Sequence, residues 1–193
     1  MNEKPILFNA EMVNAILSGR KIMTRRIISE KTLHLFGVAA SSGECHPLEL
    51  CDERSQSYYL EFCPLGKPGD QLWVREAFAA GLCTESTLAY RATHKTEDLE
   101  EGWGETIKWT PSIHMPRWAS RINLLITGVR VERLQAITLG DICKEIGCSL
   151  YDFRPATYGF QVWEDLWKSI YGEESWQANP WVWVIEFERM EAK

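Results

Sequence analysis

The stretch Trp181-Val182-Trp183-Val184-Ile185-Glu186-Phe187 decides the fold class. Every residue in it except Glu186 is apolar, so neither face of an extended chain here is suited to water. Strands that are apolar on both faces lie inside a sheet that is covered on both sides. We therefore predict a central strand at this position and a domain built around its sheet.

Shorter apolar segments upstream predict the strands that surround this one. Leu72-Trp73-Val74 follows a dense turn signal over residues 64–70, a pattern typical of a loop that leads into a strand. Further strands are predicted at Tyr58 to Phe62, at Leu88 to Ala92 and, either as a pair or as one long strand bent at Gly128, at Ile122 to Ile126 and Val129 to Leu134.

Two segments show little periodicity. Residues 30–57 carry scattered Ser, Gly, Glu and Cys, and we predict a long loop or insertion there with room for one short strand. Residues 93–108 are acidic and contain glycine, which predicts a solvated loop.

Helical patterns complete the fold prediction. Capping signals and apolar spacing predict three helices: one between Asn9 and Gly19, one between Thr138 and Gly147, and one from Phe160 to Tyr171 closed by Gly172. Short strands and helices without regular βαβ alternation, and without an internal repeat, predict an α+β fold around a small β-barrel.

Length and charge limit the classes of protein that fit. The chain has 193 residues, so we expect a single domain over residues 1–193 with the insertion at about 30–57. No apolar run reaches the roughly 20 residues that cross a bilayer, and no secretion signal opens the chain, so we expect a cytoplasmic location and no membrane partner. The six cysteines are then expected as reduced thiols. A net charge of −6 excludes a protein that coats duplex nucleic acid through charge alone.

Blocks of polar and basic residues stand out against this background. They are Ser18-Gly19-Arg20-Lys21 followed by Thr24-Arg25-Arg26, then Lys67-Pro68-Gly69-Asp70 with Leu72-Trp73-Val74-Arg75-Glu76, then Pro111-Ser112-Ile113-His114-Met115-Pro116-Arg117-Trp118-Ala119-Ser120-Arg121, and finally Asn179-Pro180-Trp181. In this order and combination, over nearly the whole chain, the sequence resembles ASCH-domain proteins, particularly those of phages and prophages. The resemblance implies a PUA-like mixed β-barrel with flanking helices and a cleft suited to RNA or a single nucleoside.

The resemblance also implies an activity and its residues. A few small bacterial ASCH proteins are amidohydrolases that remove the acyl group from N4-acetylcytidine, using a Lys, a Thr three residues later and a Glu after a later turn. Lys21, Thr24 and Glu76 stand at matching positions. The chain departs from those minimal enzymes in its greater length, with the insertion at about 30–57 and an added C-terminal helix, and these additions bear on the substrate.

Amide hydrolysis needs a nucleophile, a base that takes its proton and an acid that protonates the leaving nitrogen. A Thr hydroxyl, a Lys amine and a Glu carboxyl fill these roles, and we expect no metal and no cofactor. A Lys amine with a pKa near ~10.4 is a poor base at neutral pH, so burial or a neighbouring cation such as Arg25 or Arg26 must lower its pKa. Lys21 and Thr24 converge only if the chain bends after Gly19, because strand positions three apart point to opposite faces.

Each candidate also has a plain structural interpretation. The basic residues Lys21, Arg25 and Arg26 also fit a solvated loop that leads into a strand containing Thr24. Glu76 and Arg75 also fit surface groups at a strand end.

Two other clusters are candidates for binding. Arg117, Trp118 and Arg121 interleave cations with an aromatic ring, which suits a phosphate or base-stacking contact with single-stranded RNA. The possible ligands Cys45, His46, Cys51 and Cys63 have irregular spacing, so no zinc site is predicted.

Two classes of function follow from these residues. The first is a hydrolase that acts on an acylated nucleoside. The second is a non-catalytic module that binds RNA or a modified base, with a weak ribonuclease as a variant. In either class we predict that residues 19–26, Glu76 and residues 117–121 line one common cleft.

Overall fold

A five-stranded mixed sheet forms the centre of the computed structural model, which describes residues 2–50, 53–81, 87–95 and 107–191. The strands are β1 (Glu3–Leu7), β2 (Met23–Ile27), β3 (Gln71–Arg75), β4 (Phe78–Ala80), β5 (Leu88–Tyr90), β6 (Asn123–Arg133) and β7 (Trp181–Arg189). The order in the sheet is β1-β3-β6-β7-β2, with β1 parallel to β3 and all other neighbours antiparallel. Strands β4 and β5 form a separate antiparallel pair.

Six α-helices lie around the sheet within the described ranges. They are α1 (Ala10–Leu17), α2 (Glu30–Ser41), α3 (Glu53–Leu60), α4 (Leu139–Ile146), α5 (Ala156–Tyr171) and α6 (Glu173–Gln177). The three predicted helices are confirmed as α1, α4 and α5. Asn9 caps α1 by accepting a hydrogen bond from the Met12 amide, and Gly147 ends α4 at a φ of 85°, which favours glycine. The predicted α+β class is therefore confirmed.

Strand β7 is the central, doubly covered strand that its sequence predicts. It pairs with β6 on one side and with β2 on the other. Trp183, Ile185 and Phe187 belong to one buried cluster, which includes side chains from β1, α1 and α2. Val182 and Val184 belong to a second cluster, formed with α4 and α5. The apolar character of both faces thus reflects two cores that share one strand.

One long strand, β6, occupies the region for which the sequence left two possibilities. Its pairing with β7 shifts register between Ile126 and Gly128. A Cβ at Gly128 would lie 3.3 Å from a carboxylate oxygen of Glu186, so the close approach suits glycine. The bend at Gly128 is therefore a bulge inside one strand.

Two predictions for residues 30–62 are wrong. Residues 30–57 are not a long loop, since they contain α2, a short 3-10 helix (Leu48–Leu50) and most of α3. The predicted strand from Tyr58 to Phe62 lies in the end of α3 and the turn after it. Ser29 caps α2, and the ring of Phe36 packs on that of Tyr59 with centroids 4.5 Å apart. Only Phe36 and Ala39 of α2 are buried, so its apolar periodicity is weak.

The predictions for strand β5 and for the loop after it can be compared with the structure only in part. The strand predicted at Leu88 to Ala92 is shorter, because Arg91 begins a turn after β5. Most of the loop predicted at residues 93–108 lies outside the described residues.

The edges of the sheet approach each other without pairing. Strands β1 and β2 are its two edges, and one guanidinium nitrogen of Arg26 in β2 donates to the carbonyl of Leu7 in β1 at 2.9 Å. No ladder of backbone hydrogen bonds joins β1 to β2 in the described chain, so the paired strands form an open sheet. Among the described helices none has the length and apolar character to span a membrane.

Candidate active site

The segment from Gly19 to Ile28 is not a solvated basic loop. Lys21, Thr24 and Arg25 are 1%, 0% and 1% exposed. The chain turns after α1, where Gly19 has a φ of 71°, and then enters β2. The bend that Lys21 and Thr24 need in order to converge is therefore present. The interpretation of Lys21 and Arg25 as solvated loop residues is wrong, whereas Thr24 does lie in a strand, β2.

Lys21 is buried at the end of α4. Its Nζ donates to the carbonyl of Met23 at 2.7 Å, to the carbonyl of Glu145 and to Oε1 of Glu145 at 3.4 Å. Three acceptors match the three N–H donors of an ammonium group, whereas a neutral amine has only two. Burial lowers the pKa of Lys21, and the negative charge of Glu145 opposes that shift.

Arg25 shares the Glu145 carboxylate with Lys21 and points to the face of β2 opposite to Thr24, where it enters a network of carboxylates. Its guanidinium donates at 3.3 Å to each of Glu132, Asp141 and Glu145. Its backbone N–H donates to Oε1 of Glu145 at 2.9 Å. Arg130, on strand β6 at the far side of β7, pairs with Glu132 and Asp141. A buried guanidinium is thus matched by several acceptors, as its desolvation requires.

Thr24 and Arg26 share the other face of β2. A guanidinium nitrogen of Arg26 donates to Oγ1 of Thr24 at 2.8 Å. The Arg26 guanidinium also lies 5.3 Å from the centre of the Phe8 ring, and Lys21 Nζ lies 5.7 Å from the same ring. The Phe8 ring is therefore a common neighbour of Lys21 and of Arg26, the partner of Thr24.

Glu76 reaches the same point from β3. The Phe8 amide donates to the carbonyl of Arg75 at 3.2 Å, which places Phe8 beside the residue that follows β3. Glu76 is 2% exposed, and its two carboxylate oxygens accept from Arg121 at 2.8 and 2.9 Å. Arg121 stacks on the Tyr90 ring at 4.0 Å. Glu76 is thus a buried carboxylate held in a bidentate pair.

A cleft with two lobes runs past Phe8. The first lobe, of about 540 Å³, lies between Arg26 in β2 and an aromatic wall on α5 formed by Trp163, Trp167 and Tyr171. The second lobe, of about 530 Å³, contains Glu76 and Arg91. Phe8, Asn9 and Ser112 line both lobes. Each lobe falls in the size range of small-molecule sites.

The structure brings only part of the predicted set to this cleft. Arg25, Arg26 and Glu76 line it. Lys21 and Thr24 do not line it, but Lys21 adjoins the Phe8 ring and Thr24 is bonded to Arg26. Arg121 adjoins it by pairing with Glu76.

The remaining predicted residues lie elsewhere. Arg117 pairs with Glu3 at the start of β1, the end away from Phe8. Trp118 is 68% exposed, and Arg75 stacks on Trp73 at 4.9 Å. None of residues 117–121 lines either lobe, and Arg121 adjoins the cleft only through its pair with Glu76.

Some residues of the site were missed by sequence reasoning. Glu145 touches both Lys21 and Arg25, and Phe8 separates the two lobes, yet neither belongs to a polar motif. One signal was available, because Asp141 and Glu145 are four residues apart and lie on one face of α4. Both carboxylates turn toward Arg25.

Comparison of this chain with protein-family models, with curated proteins and with solved structures finds no match. Among the described residues no group of three or more His, Cys, Asp or Glu side chains is arranged to hold a metal ion. Cys51, one of the ligands considered for zinc, lies outside the described residues.

Proposed function

We propose that this chain is an ASCH-type protein with a PUA-like fold whose cleft binds a modified nucleoside or single-stranded RNA. We further propose that it hydrolyses the exocyclic amide of N4-acetylcytidine-type nucleosides without a metal. The sequence blocks that resemble ASCH domains support the family, and the mixed sheet whose edge strands approach each other fits a PUA-like barrel.

One observation carries the proposal. Lys21 and Thr24 come from one segment and Glu76 from a distant one, and each is connected to Phe8: Lys21 Nζ lies 5.7 Å from its ring, Thr24 binds Arg26, which lies 5.3 Å from the same ring, and Glu76 lines the second lobe beside Phe8. A purely structural role for each residue alone does not require that they converge. A nucleophile, a base and an acid that serve one reaction do require it.

The proposed reaction begins with attack of Thr24 Oγ1 on the acyl carbon, while the Lys21 amine takes the hydroxyl proton. Glu76 gives a proton to the exocyclic nitrogen as the bond to the acyl group breaks, so cytidine leaves as a neutral amine. Water then attacks the acyl group on Thr24 and releases the carboxylic acid. General acid–base steps of this kind contribute typically about 10²–10⁴-fold each.

The protonation state that the hydrogen bonds of Lys21 and Glu76 favour differs from the reactive state by one proton, which moves from Lys21 to Glu76. The contacts of Lys21 suit an ammonium group, and the bidentate pair with Arg121 suits Glu76 as a carboxylate. The proposed reaction needs Lys21 neutral and Glu76 protonated. Because one group must be protonated and the other deprotonated, the rate falls at both low and high pH. We therefore expect a bell-shaped dependence of kcat/KM on pH.

Arg26 must move before a substrate reaches Thr24. Thr24 is fully buried, and Arg26 spans from its hydroxyl to the carbonyl of Leu7. Arg26 is only partly buried, so its guanidinium has room to turn toward the cleft. A substrate carbonyl is a suitable new acceptor for it.

A second candidate is a non-catalytic module that binds RNA or a modified base, with weak ribonuclease activity as a variant. The burial of Thr24 and the saturated hydrogen bonds of Lys21 favour this alternative, because both residues already have structural partners.

The discriminating experiment follows release of cytidine from N4-acetylcytidine by chromatography, in metal-free buffer. We expect hydrolysis by the wild type and a loss of several orders of magnitude in Thr24→Val, which keeps the shape of the buried side chain and removes the nucleophile. Thr24→Ser is the matched control, since it keeps a hydroxyl and should retain measurable activity. If the wild type releases nothing, or if Thr24→Val equals it, the binding module is the better account.

A further inference from the structure

The C-terminal end of α4 is capped by residues 20–22, which lie far away in sequence. The last carbonyls of a helix have no partner within the helix and need donors from elsewhere. Here the amide of Ile22 donates to the carbonyl of Lys144 at 3.1 Å, and Arg20 donates to the carbonyl of Gly147 at 3.1 Å. Lys21 Nζ donates to the carbonyl of Glu145 between them. The Lys21 cation thus lies at the negative end of the helix dipole.

The Glu145 side chain makes a further contact with the Lys21 ammonium group. Its Oε1 accepts from both Lys21 Nζ and the Arg25 amide, at 3.4 and 2.9 Å. Its Oε2 accepts from the Arg25 guanidinium at 3.3 Å. The side chain is 5% exposed, so solvent hardly screens its charge. Glu145 therefore fixes both the position of Lys21 and the strand that carries Thr24.

Three charged groups face Lys21 Nζ from the elements packed around it. Glu145 approaches from α4, and Arg25 and Arg26 approach from β2. The Phe8 ring covers a further side. Glu145 is the anion among these three charges, so it is the one that favours the charged form of Lys21.

We infer that Glu145 is a positioning residue that holds the Lys21 amine at the end of α4 and sets the pH above which Lys21 acts as a base. The catalytic part of this inference rests on the proposed hydrolase function. The effect of Glu145 on the protonation of Lys21 does not.

The first test is an NMR titration of Lys21 through its side-chain Cε and Nζ signals, assigned by their loss in Lys21→Met. Burial lowers the pKa of Lys21 and Glu145 raises it, so removal of the Glu145 charge moves the titration to lower pH. We expect this shift in Glu145→Gln. Glu132→Gln is the matched control, because Glu132 also pairs with Arg25 but makes no hydrogen bond to Lys21 in the described part of the chain. An unchanged titration in Glu145→Gln overturns the inference, and so does an equal shift in Glu132→Gln.

A second variant covers the case in which Glu145→Gln does not fold. Glu145→Asp keeps the charge and the backbone carbonyl but withdraws the carboxylate from Lys21. We expect its Lys21 titration at a pH below that of the wild type, and a titration equal to that of the wild type contradicts the inference.

The catalytic part is tested by the pH dependence of kcat/KM on N4-acetylcytidine. Because the resting pair is an ammonium and a carboxylate, loss of the Lys21 proton governs the alkaline limb of the profile. We expect this limb to move to lower pH in Glu145→Gln and to stay in place in Glu132→Gln. A profile that stays in place in both variants overturns the catalytic part. If the wild type has no activity but the NMR titration shifts, the proposed hydrolase function fails and the effect of Glu145 on Lys21 stands.

Discussion

The two faces of β2 differ in how their polar side chains are matched. On one face, Arg25 is surrounded by three carboxylates and is fully buried against α4 and α5. On the other face, Thr24 has the partly buried Arg26 as its partner, and Arg26 lines the first lobe of the cleft together with Arg25. Buried charges with several opposite charges around them stabilise one arrangement of the chain. Groups with a single movable partner remain available to a ligand, so the comparison separates a structural face from a candidate reactive face.

The largest effect is expected at Glu76, on the reactive side. Glu76→Gln keeps the size of the side chain but removes the proton donor, so hydrolysis of N4-acetylcytidine should slow by about 10²–10⁴-fold. Arg121 is partly exposed and remains hydrated, so the fold should persist. Steady-state kinetics with circular dichroism as a control checks this. Activity close to that of the wild type would remove Glu76 from the mechanism.

The next largest effect is expected on the stability of the protein when Arg25, on the structural face, is replaced. Arg25→Met leaves the buried Glu145 without its main cation, and breaking a buried pair in this way costs about 3–5 kcal/mol of unfolding free energy. Arg26→Met is the matched control on the same strand, and we expect a much smaller loss there, because Arg26 has no carboxylate partner among the described residues. Urea denaturation of both variants measures the difference. Equal losses would mean that the two faces do not differ in this respect.

The smallest effect is expected far from both faces. Trp118→Ala removes an exposed ring that lies near the far end of β1, so hydrolysis of a free nucleoside should be unchanged. Single-stranded RNA should bind more weakly, by about 1–3 kcal/mol if a base stacks on that ring. Fluorescence anisotropy with a labelled oligonucleotide checks this at fixed salt. Unchanged RNA binding would exclude Trp118 as a stacking surface.

Parts of the fold were predictable from sequence for a physical reason. Strand β7 and helix α5 bury enough side chains that their apolar patterns are strong. Helix α2 was missed because only two of its side chains, Phe36 and Ala39, are buried, and its cap Ser29 was the better signal. The rings of Tyr58 and Tyr59 favour strands in general, but the packing of Tyr59 on Phe36 overrides that preference.

The candidate site was predictable only in part. Lys21, Thr24 and Glu76 were identified through the family resemblance, and their burial did not follow from composition, since charged residues are seldom buried. Glu145 was missed because its role depends on contact with Lys21, which lies 124 residues earlier in the chain. No local pattern in the sequence reports a contact over that separation.

That separation has a consequence for how the protein is made. During synthesis, the segment Arg20 to Ile22 leaves the ribosome long before the end of α4 exists, so its donors have no carbonyls to bind. Contacts this distant in sequence raise the contact order and close late in folding. A nascent chain shorter than about three quarters of the protein therefore holds Lys21 in water, where its amine has an ordinary affinity for protons. The special environment of Lys21 is thus a property of the finished fold, and a truncated chain would lack it.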